Sequence, residues 1–109
     1  MQAPAIAFEE FVSPLPHPGE HLREDYLPQY RLTAGALARR MGLGDRTRIE
    51  RIIRERQPIT ADTALRLARV FGTSAQLWMN MQASHDLSKA AIAERDALEA
   101  IETIDAEPA

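Results

Sequence analysis

The sequence predicts an all-α fold, a bundle of about five helices followed by a C-terminal helix, and three observations carry that expectation. Apolar residues recur at spacings of three and four, as in Ile49, Ile52 and Ile53 and again in Ala64, Leu67, Ala68 and Phe71, which is the period of one helical face. No convincing run alternates apolar and polar residues as a half-buried strand would. Proline, glycine and Ser/Thr/Asp residues fall between the periodic segments, where helices start and stop. With 109 residues and no cysteine, the chain is expected to form one domain that rests on burial alone, without disulfides or thiolate metal sites.

Taken in order, residues 1–16 contain Pro4, Pro14 and Pro16 with little periodicity and read as an irregular N-terminal arm. Phe8, Phe11 and Val12 are available there to dock on the domain or on a partner. The first helix is expected to begin at Pro18, where a missing amide costs nothing, and to end before Pro28, with Leu22, Tyr26 and Leu27 facing the core. In the second helix Leu37 and Met41 share a face and Ala38 permits a close crossing. Gly42 supplies the positive φ of a sharp reversal and Leu43 plugs the turn. Asp45 is the expected N-cap of a third helix starting at Arg46, which Pro58 closes. Thr60 caps the fourth helix, Asp62 suits its first turn, and Gly72 stops it.

A capping box from Thr73 to Gln76 opens the fifth helix, in which Leu77, Trp78, Met79 and Met81 point in nearly all directions. A helix apolar all round is covered on more than one side, so these four residues are the candidate interface of a homodimer. Beyond His85, the stripe Ala90, Ala93, Ala97, Ala100 and Ile104 combines high helix propensity with little buried area. It fits either a frayed tail or a dimer-extending helix. The organisation expected is therefore an arm (1–16), a core domain (17–87) and a C-terminal helix and tail (88–109).

A short helix, a glycine-punctuated turn and an arginine-rich helix between Thr33 and Thr60 together make a helix-turn-helix, a DNA-reading device. Ile49, Ile52 and Ile53 bury one face of its second helix, and Arg46, Thr47, Arg48, Glu50, Arg51 and Arg54 cover the rest. Residues at the start of that helix reach base edges in the major groove, while the preceding helix fixes the phosphates. Arg46, Thr47, Arg48 and Arg51 are the groove-side candidates, with Arg46 or Arg48 able to fork onto guanine. Thr33, Arg39 and Arg40 are the backbone candidates. Arg54 and Arg56 fit phosphate contacts as well as pairing with Glu50 or Glu55. One feature departs from the usual arrangement: the position ten after Ala38, ordinarily apolar, is Arg48. The turn around Gly44 and Asp45 thus carries one extra residue.

The net charge of −3 conceals a segregated distribution. Residues 1–38 carry −3, residues 39–69 carry +5 and residues 83–109 carry −5. Phosphate binding depends on cationic density within a Debye length, ~8 Å at physiological salt, so the local patch outweighs the total. The acidic ends discourage indiscriminate DNA binding and suggest a second, basic partner. No segment approaches the ~20 apolar residues of a membrane span, and the acidic N-terminus is unlike a signal peptide, so a cytoplasmic protein without membrane attachment is expected. His17, Glu20 and His21 fall at helical spacing but make an incomplete metal site. Nucleophile–base constellations and phosphate loops are missing, so neither enzyme activity, nor metal, nor cofactor is expected.

HPGEHLREDYL at residues 17–27, TADTALRLARVFGTSAQLWMNMQASHDL at residues 60–87 and the helix-turn-helix between them resemble the HigA family of antitoxins, the VapI type within the Xre and lambda-repressor-like group. The resemblance implies a lambda-repressor-like homodimer that represses its own operon at a palindromic operator. It also implies neutralisation of a HigB toxin, a RelE-like mRNA endonuclease. A toxin that handles RNA is expected to be basic, which fits the acidic arm and tail. The arm and first helix, through Glu9, Phe11, Glu20 and Glu24, are the favoured toxin surface. Two alternatives stay open: a stand-alone repressor without a toxin, and an antitoxin whose altered turn has abolished DNA binding.

Overall fold

The structure, a computed structural model, describes residues 7–105 and is helical in all its regular elements. Pro4 and the rest of residues 1–6 lie outside the described residues; the described part of the arm holds one short 3₁₀ turn, Phe8–Glu10, flanked by extended Ala7 and Phe11. The segments Pro18–His21, Leu22–Tyr26 and Leu27–Tyr30 then run on without a break as one helix, α1. α2 (Ala34–Arg40) and α3 (Thr47–Ile53) are the two arms of the helix-turn-helix. α4 (Ala61–Phe71), the long α5 (Ala75–Ala93) and a short α6 (Arg95–Glu99) complete the chain.

α1 begins at Pro18 as expected and departs from expectation at its other end. His17 caps its start, with Nδ1 accepting from the Gly19 amide at 2.8 Å. Pro28 lies inside the helix rather than beyond it. The middle segment is wound as a wider π turn, in which the Leu27 amide reaches the Leu22 carbonyl. That widening absorbs the hydrogen bond Pro28 cannot make and relieves its ring from the preceding turn. The helix ends instead at Arg31, a non-glycine residue at φ 54°. There the Leu32 amide reaches back to Leu27 and the Arg31 amide to Pro28, the paired bonds that satisfy a helix C-terminus.

Leu22, Leu27, Leu37, Ala38, Met41, Ile49, Ile52, Ile59, Ala64, Leu67 and Trp78 form one buried core. The expected inward residues of α1 to α4 are in it or packed against it, except Ala68, which is only half-buried. An aromatic cluster closes one side: Tyr26 lies 4.9 Å from both Phe71 and Trp78, ring centre to ring centre. Such tilted pairs add ~0.5–1.5 kcal/mol each beyond the area they bury.

α5 begins one residue later than the capping box implied. Ser74, not Thr73, accepts from the Leu77 amide, and the Thr73 hydroxyl accepts instead from Trp78 Nε1 at 2.8 Å. Trp78 is 0% exposed within the single chain, so it has no surface to offer a second subunit and leaves the candidate dimer set. Gln82 is likewise buried, its Oε1 accepting from the Ile59 amide at 2.8 Å, which ties α5 to the loop before α4. α5 crosses residue 87 unbroken, because the alanine-rich sequence continues the helix to Ala93. Ala90, Ala93, Ala97, Ala100 and Ile104 all face outward, while Ser88 and Ala91 are the buried positions.

Candidate nucleic-acid interface

α2 starts at Thr33, whose Oγ1 accepts from the Ala36 amide at 3.0 Å, and it ends at Gly42, at φ 75°. Amides of Gly42 and Leu43 return to the carbonyls of Arg39 and Ala38, so the chain reverses tightly and Leu43 packs against the core. Asp45 follows, and its Oδ1 accepts from the Thr47 amide at 2.9 Å. That bond, with a second to the Thr47 side chain, holds the Asp45 carboxyl below its ordinary value. The helix therefore opens at Thr47, one residue later than expected. Ile49 and Ile52 are buried, which confirms that the apolar face sits one position on from the usual register.

α3 ends well before Pro58. Glu55 takes φ 60°, and the Glu55 and Arg56 amides return to Ile52 and Arg51. The chain reversal thus ends the helix, not the proline. Arg23 of α1 reaches over this terminus to donate to the Ile53 carbonyl and to Glu55, a cation at the negative end of a helix. α1 and α3 touch closely where Gly19 meets the Ile52 carbonyl.

The cationic residues fall into two groups. Arg48 is turned sideways onto α4, its Nη1 2.6 Å from Asp62. Arg66 completes the bridge by donating to Asp62 and to the Met41 carbonyl. Arg48 first, then Arg66, hold the Asp62 carboxyl below its ordinary value. These three side chains clamp α3, α4 and the end of α2 together. Arg46 is 72% exposed and rests on Glu50 at 2.6 Å.

Arg51, Arg54 and Arg56 make no ion pair among the described residues. Glu50 is taken by Arg46 and Glu55 by Arg23, so the pairing expected for Arg54 and Arg56 does not form. Instead the three arginines line an open concavity of about 410 Å³ with Thr47, Glu50 and Gln57. Gln57 escaped the sequence reading because it lies past the helix, where periodicity says nothing. Thr33, Arg39 and Arg40 are exposed at the two ends of α2.

The four residues favoured for toxin contact sit on two elements. Glu9 and Phe11 belong to the arm, which lies on α5 and α6. Glu24 pairs with Arg23 beside the end of α3. The histidines of the weak metal motif are otherwise engaged: His17 caps α1 and His21 pairs with Asp25 at 3.3 Å.

No family model matches the chain. It is 53% identical over 77 residues to virulence-associated protein I of Dichelobacter nodosus, covering 71% of this chain and 70% of that protein. The fold is similar to that of the Pseudomonas aeruginosa antitoxin HigA, solved with the higBA promoter, at TM-score 0.79 and 38% identity, covering 84% of this chain and 99% of that one. It is similar as well to an addiction module antidote protein of the HigA family from Coxiella burnetii, at TM-score 0.78 and 33% identity over 85% and 100% of the two chains.

Proposed function

Since this chain belongs to the HigA family of helix-turn-helix antitoxins, we propose that it is a cytoplasmic, non-enzymatic antitoxin that represses its own operon at an inverted-repeat operator. It does so as a homodimer and neutralises a HigB-like mRNA endonuclease. The observation that carries the DNA half is the outer face of α3, where Arg51, Arg54 and Arg56 stand free around Thr47. Free guanidinium groups can take phosphates or base edges without first breaking an internal pair. The solved HigA with its promoter supports the same reading by likeness.

Within this reading, Arg46, Thr47 and Arg51 read the groove, Thr33, Arg39 and Arg40 hold the backbone, and Arg54 and Arg56 add phosphate contacts. Arg48 acts from the side, through the Asp62 clamp that fixes the angle of α3. A dimer places two such helices in successive major grooves, ~34 Å apart, which requires a palindrome. Leu77, Met79 and Met81, which keep some exposure on α5, are the remaining candidate dimer contacts.

The test is a gel shift with the DNA upstream of the gene, comparing wild type with Arg46, Thr47 and Arg51 all changed to alanine. Arg48 is left intact so that the clamp survives. Wild type should bind with a steep salt dependence, and the triple variant should lose sequence preference and flatten the salt slope by about 0.9 per phosphate contact removed. Undiminished binding by the triple variant would refute the assignment of α3.

A further inference from the structure

The N-terminal arm is held in place by its backbone while its apolar side chains remain half uncovered. It runs antiparallel to α5 and α6. The Leu15 amide donates to Ser88 Oγ at 2.8 Å and the Leu15 carbonyl accepts from His85 Nδ1 at 2.6 Å. Further along, Arg95 donates to the carbonyls of Phe11, at 2.6 Å, and Glu9. These bonds fix the strand of chain without filling the space beneath its side chains. What results is a groove of about 620 Å³, walled by Phe8, Phe11 and Leu15 on one side and Leu87, Ala91 and Leu98 on the other.

Leu87 is 63% exposed at its edge and Val12 86% exposed on the arm above. A contiguous apolar patch built on a fixed backbone marks a contact surface rather than unfinished core. The rim decides what fits. Glu94 lines it, Glu9, Glu10, Asp96 and Glu99 are exposed next in sequence to its walls and to Arg95, and Arg95 is committed to the arm's carbonyls. Two copies meeting through this face would bring like charges together, which costs several kcal/mol. A cationic partner meets no such penalty.

We propose that this groove receives the toxin, through an apolar segment flanked by lysine or arginine. The proposal rests on the antitoxin reading above and adds the surface. It keeps Glu9 and Phe11 of the residues expected from the sequence and moves the rest of the site from α1 to α5 and α6. His85, Ser88 and Arg95 are positioning residues: they hold the wall that Phe8 and Phe11 form.

The probe is a HigB-like toxin in a catalytically inactive form, taken from a reading frame flanking this gene and titrated calorimetrically into the full-length antitoxin. Leu87→Glu, at an exposed site, should weaken its binding at least thirty-fold while leaving the melting temperature, sedimentation and operator binding of the free antitoxin unchanged. The double reversal Glu9→Lys with Glu94→Lys should weaken it about ten-fold at low salt, with the difference shrinking at high salt. Full toxin affinity in Leu87→Glu overturns the groove but leaves the antitoxin reading standing. Loss of the dimer in Leu87→Glu also overturns it, since a second copy then occupies the face. Absence of binding by wild type sinks the antitoxin reading itself, and the groove with it.

Discussion

Replacing Gly19 by alanine tests whether α1 sets the position of α3. Gly19 is buried near the start of α1, and an added Cβ would lie 1.8 Å from the Ile52 carbonyl oxygen and 2.8 Å from its carbon. Both obstacles are backbone, so no rotamer change relieves them. Reaching the 3.4 Å of ordinary contact requires a separation of roughly 1.6 Å between the two helices. Overpacking of this kind costs ~1–3 kcal/mol. The better helix propensity of alanine, at most ~1 kcal/mol and less in a first turn, offsets little of it. With a net loss of about 2 kcal/mol and ~4–8 °C per kcal/mol for a domain near this size, the melting temperature should fall by about 8–16 °C. Operator affinity should fall further than stability alone explains, because Ile52 belongs to α3 and moving it re-aims Thr47 and Arg51. Thermal melts by circular dichroism and gel shifts well below the transition separate the two effects. Gly44→Ala is the control, since nothing lies within 4 Å of its added Cβ. If Gly19→Ala melts within ~2 °C of wild type and binds operator equally well, the inferred coupling of α1 to α3 is wrong.

Asp62→Asn should release Arg48 and Arg66 and remove an anion beside the DNA face. Non-specific DNA should then bind more tightly, with a salt slope steeper by about one, while discrimination among sequences falls; an unchanged slope counts against the clamp. Because the Asp62 carboxyl titrates below its ordinary 3.8 when folded, its contribution is present at neutral pH and lost as pH falls beneath that value. Acid titration of the asparagine variant should lack that component. His17 behaves likewise for a different reason: burial, then the His85 ring 5.0 Å away, hold its value below 6.5. The unfolded chain takes up a proton first, so stability should fall as pH drops below 6.5. Glu55, Asp86 and Lys89 also act on this ring; urea titrations of His17→Asn, which keeps a capping side chain, should show a flatter pH profile. Finally, Thr73→Val leaves the Trp78 indole N–H without its acceptor and should cost ~1–3 kcal/mol in urea unfolding. Thr73→Ser should cost much less, and equal losses would mean the hydrogen bond contributes nothing.

Sequence spacing located every helix of the domain because burial enforces periodicity: Leu37 with Met41, Ile49 with Ile52, and Ala64 with Leu67 all reach the core they were expected to reach. Helix ends were less legible, since two of them depend on backbone choices with weak side-chain signatures. Arg31 and Glu55 take left-handed conformations usually left to glycine or asparagine. Pro28 is accommodated by a π turn that no residue announces. Candidate contacts divided on a similar principle. A stripe tells which side of a helix is polar, but not what stands opposite it. Thus Arg51 appears as expected on the open face, whereas Arg48 meets Asp62. Trp78 failed as an interface residue because an all-round apolar helix can be enclosed by its own chain, here by Tyr26, Phe71 and Thr73.

The extra turn residue and the Asp62 clamp are two halves of one solution. With the buried face of α3 beginning at Ile49, Arg48 stands half-buried beside it, at the border between α3 and α4. A guanidinium left there unpaired would be partly desolvated, and a partly buried cation needs a partner. The first turn of α4 supplies one in Asp62, which the amide ends of that helix also favour. Arg66, one turn further on, fastens the same carboxylate to the Met41 carbonyl, at the point where α2 gives way to the turn. The lengthened loop is therefore anchored at both sides, at Met41 before it and at Arg48 beyond it. Deleting Gly44 would bring Ile49 to the tenth position after Ala38 yet shorten the link between Met41 and Arg48 that the Asp62 clamp spans, so that a shorter turn, taken alone, should strain the clamp and weaken this domain.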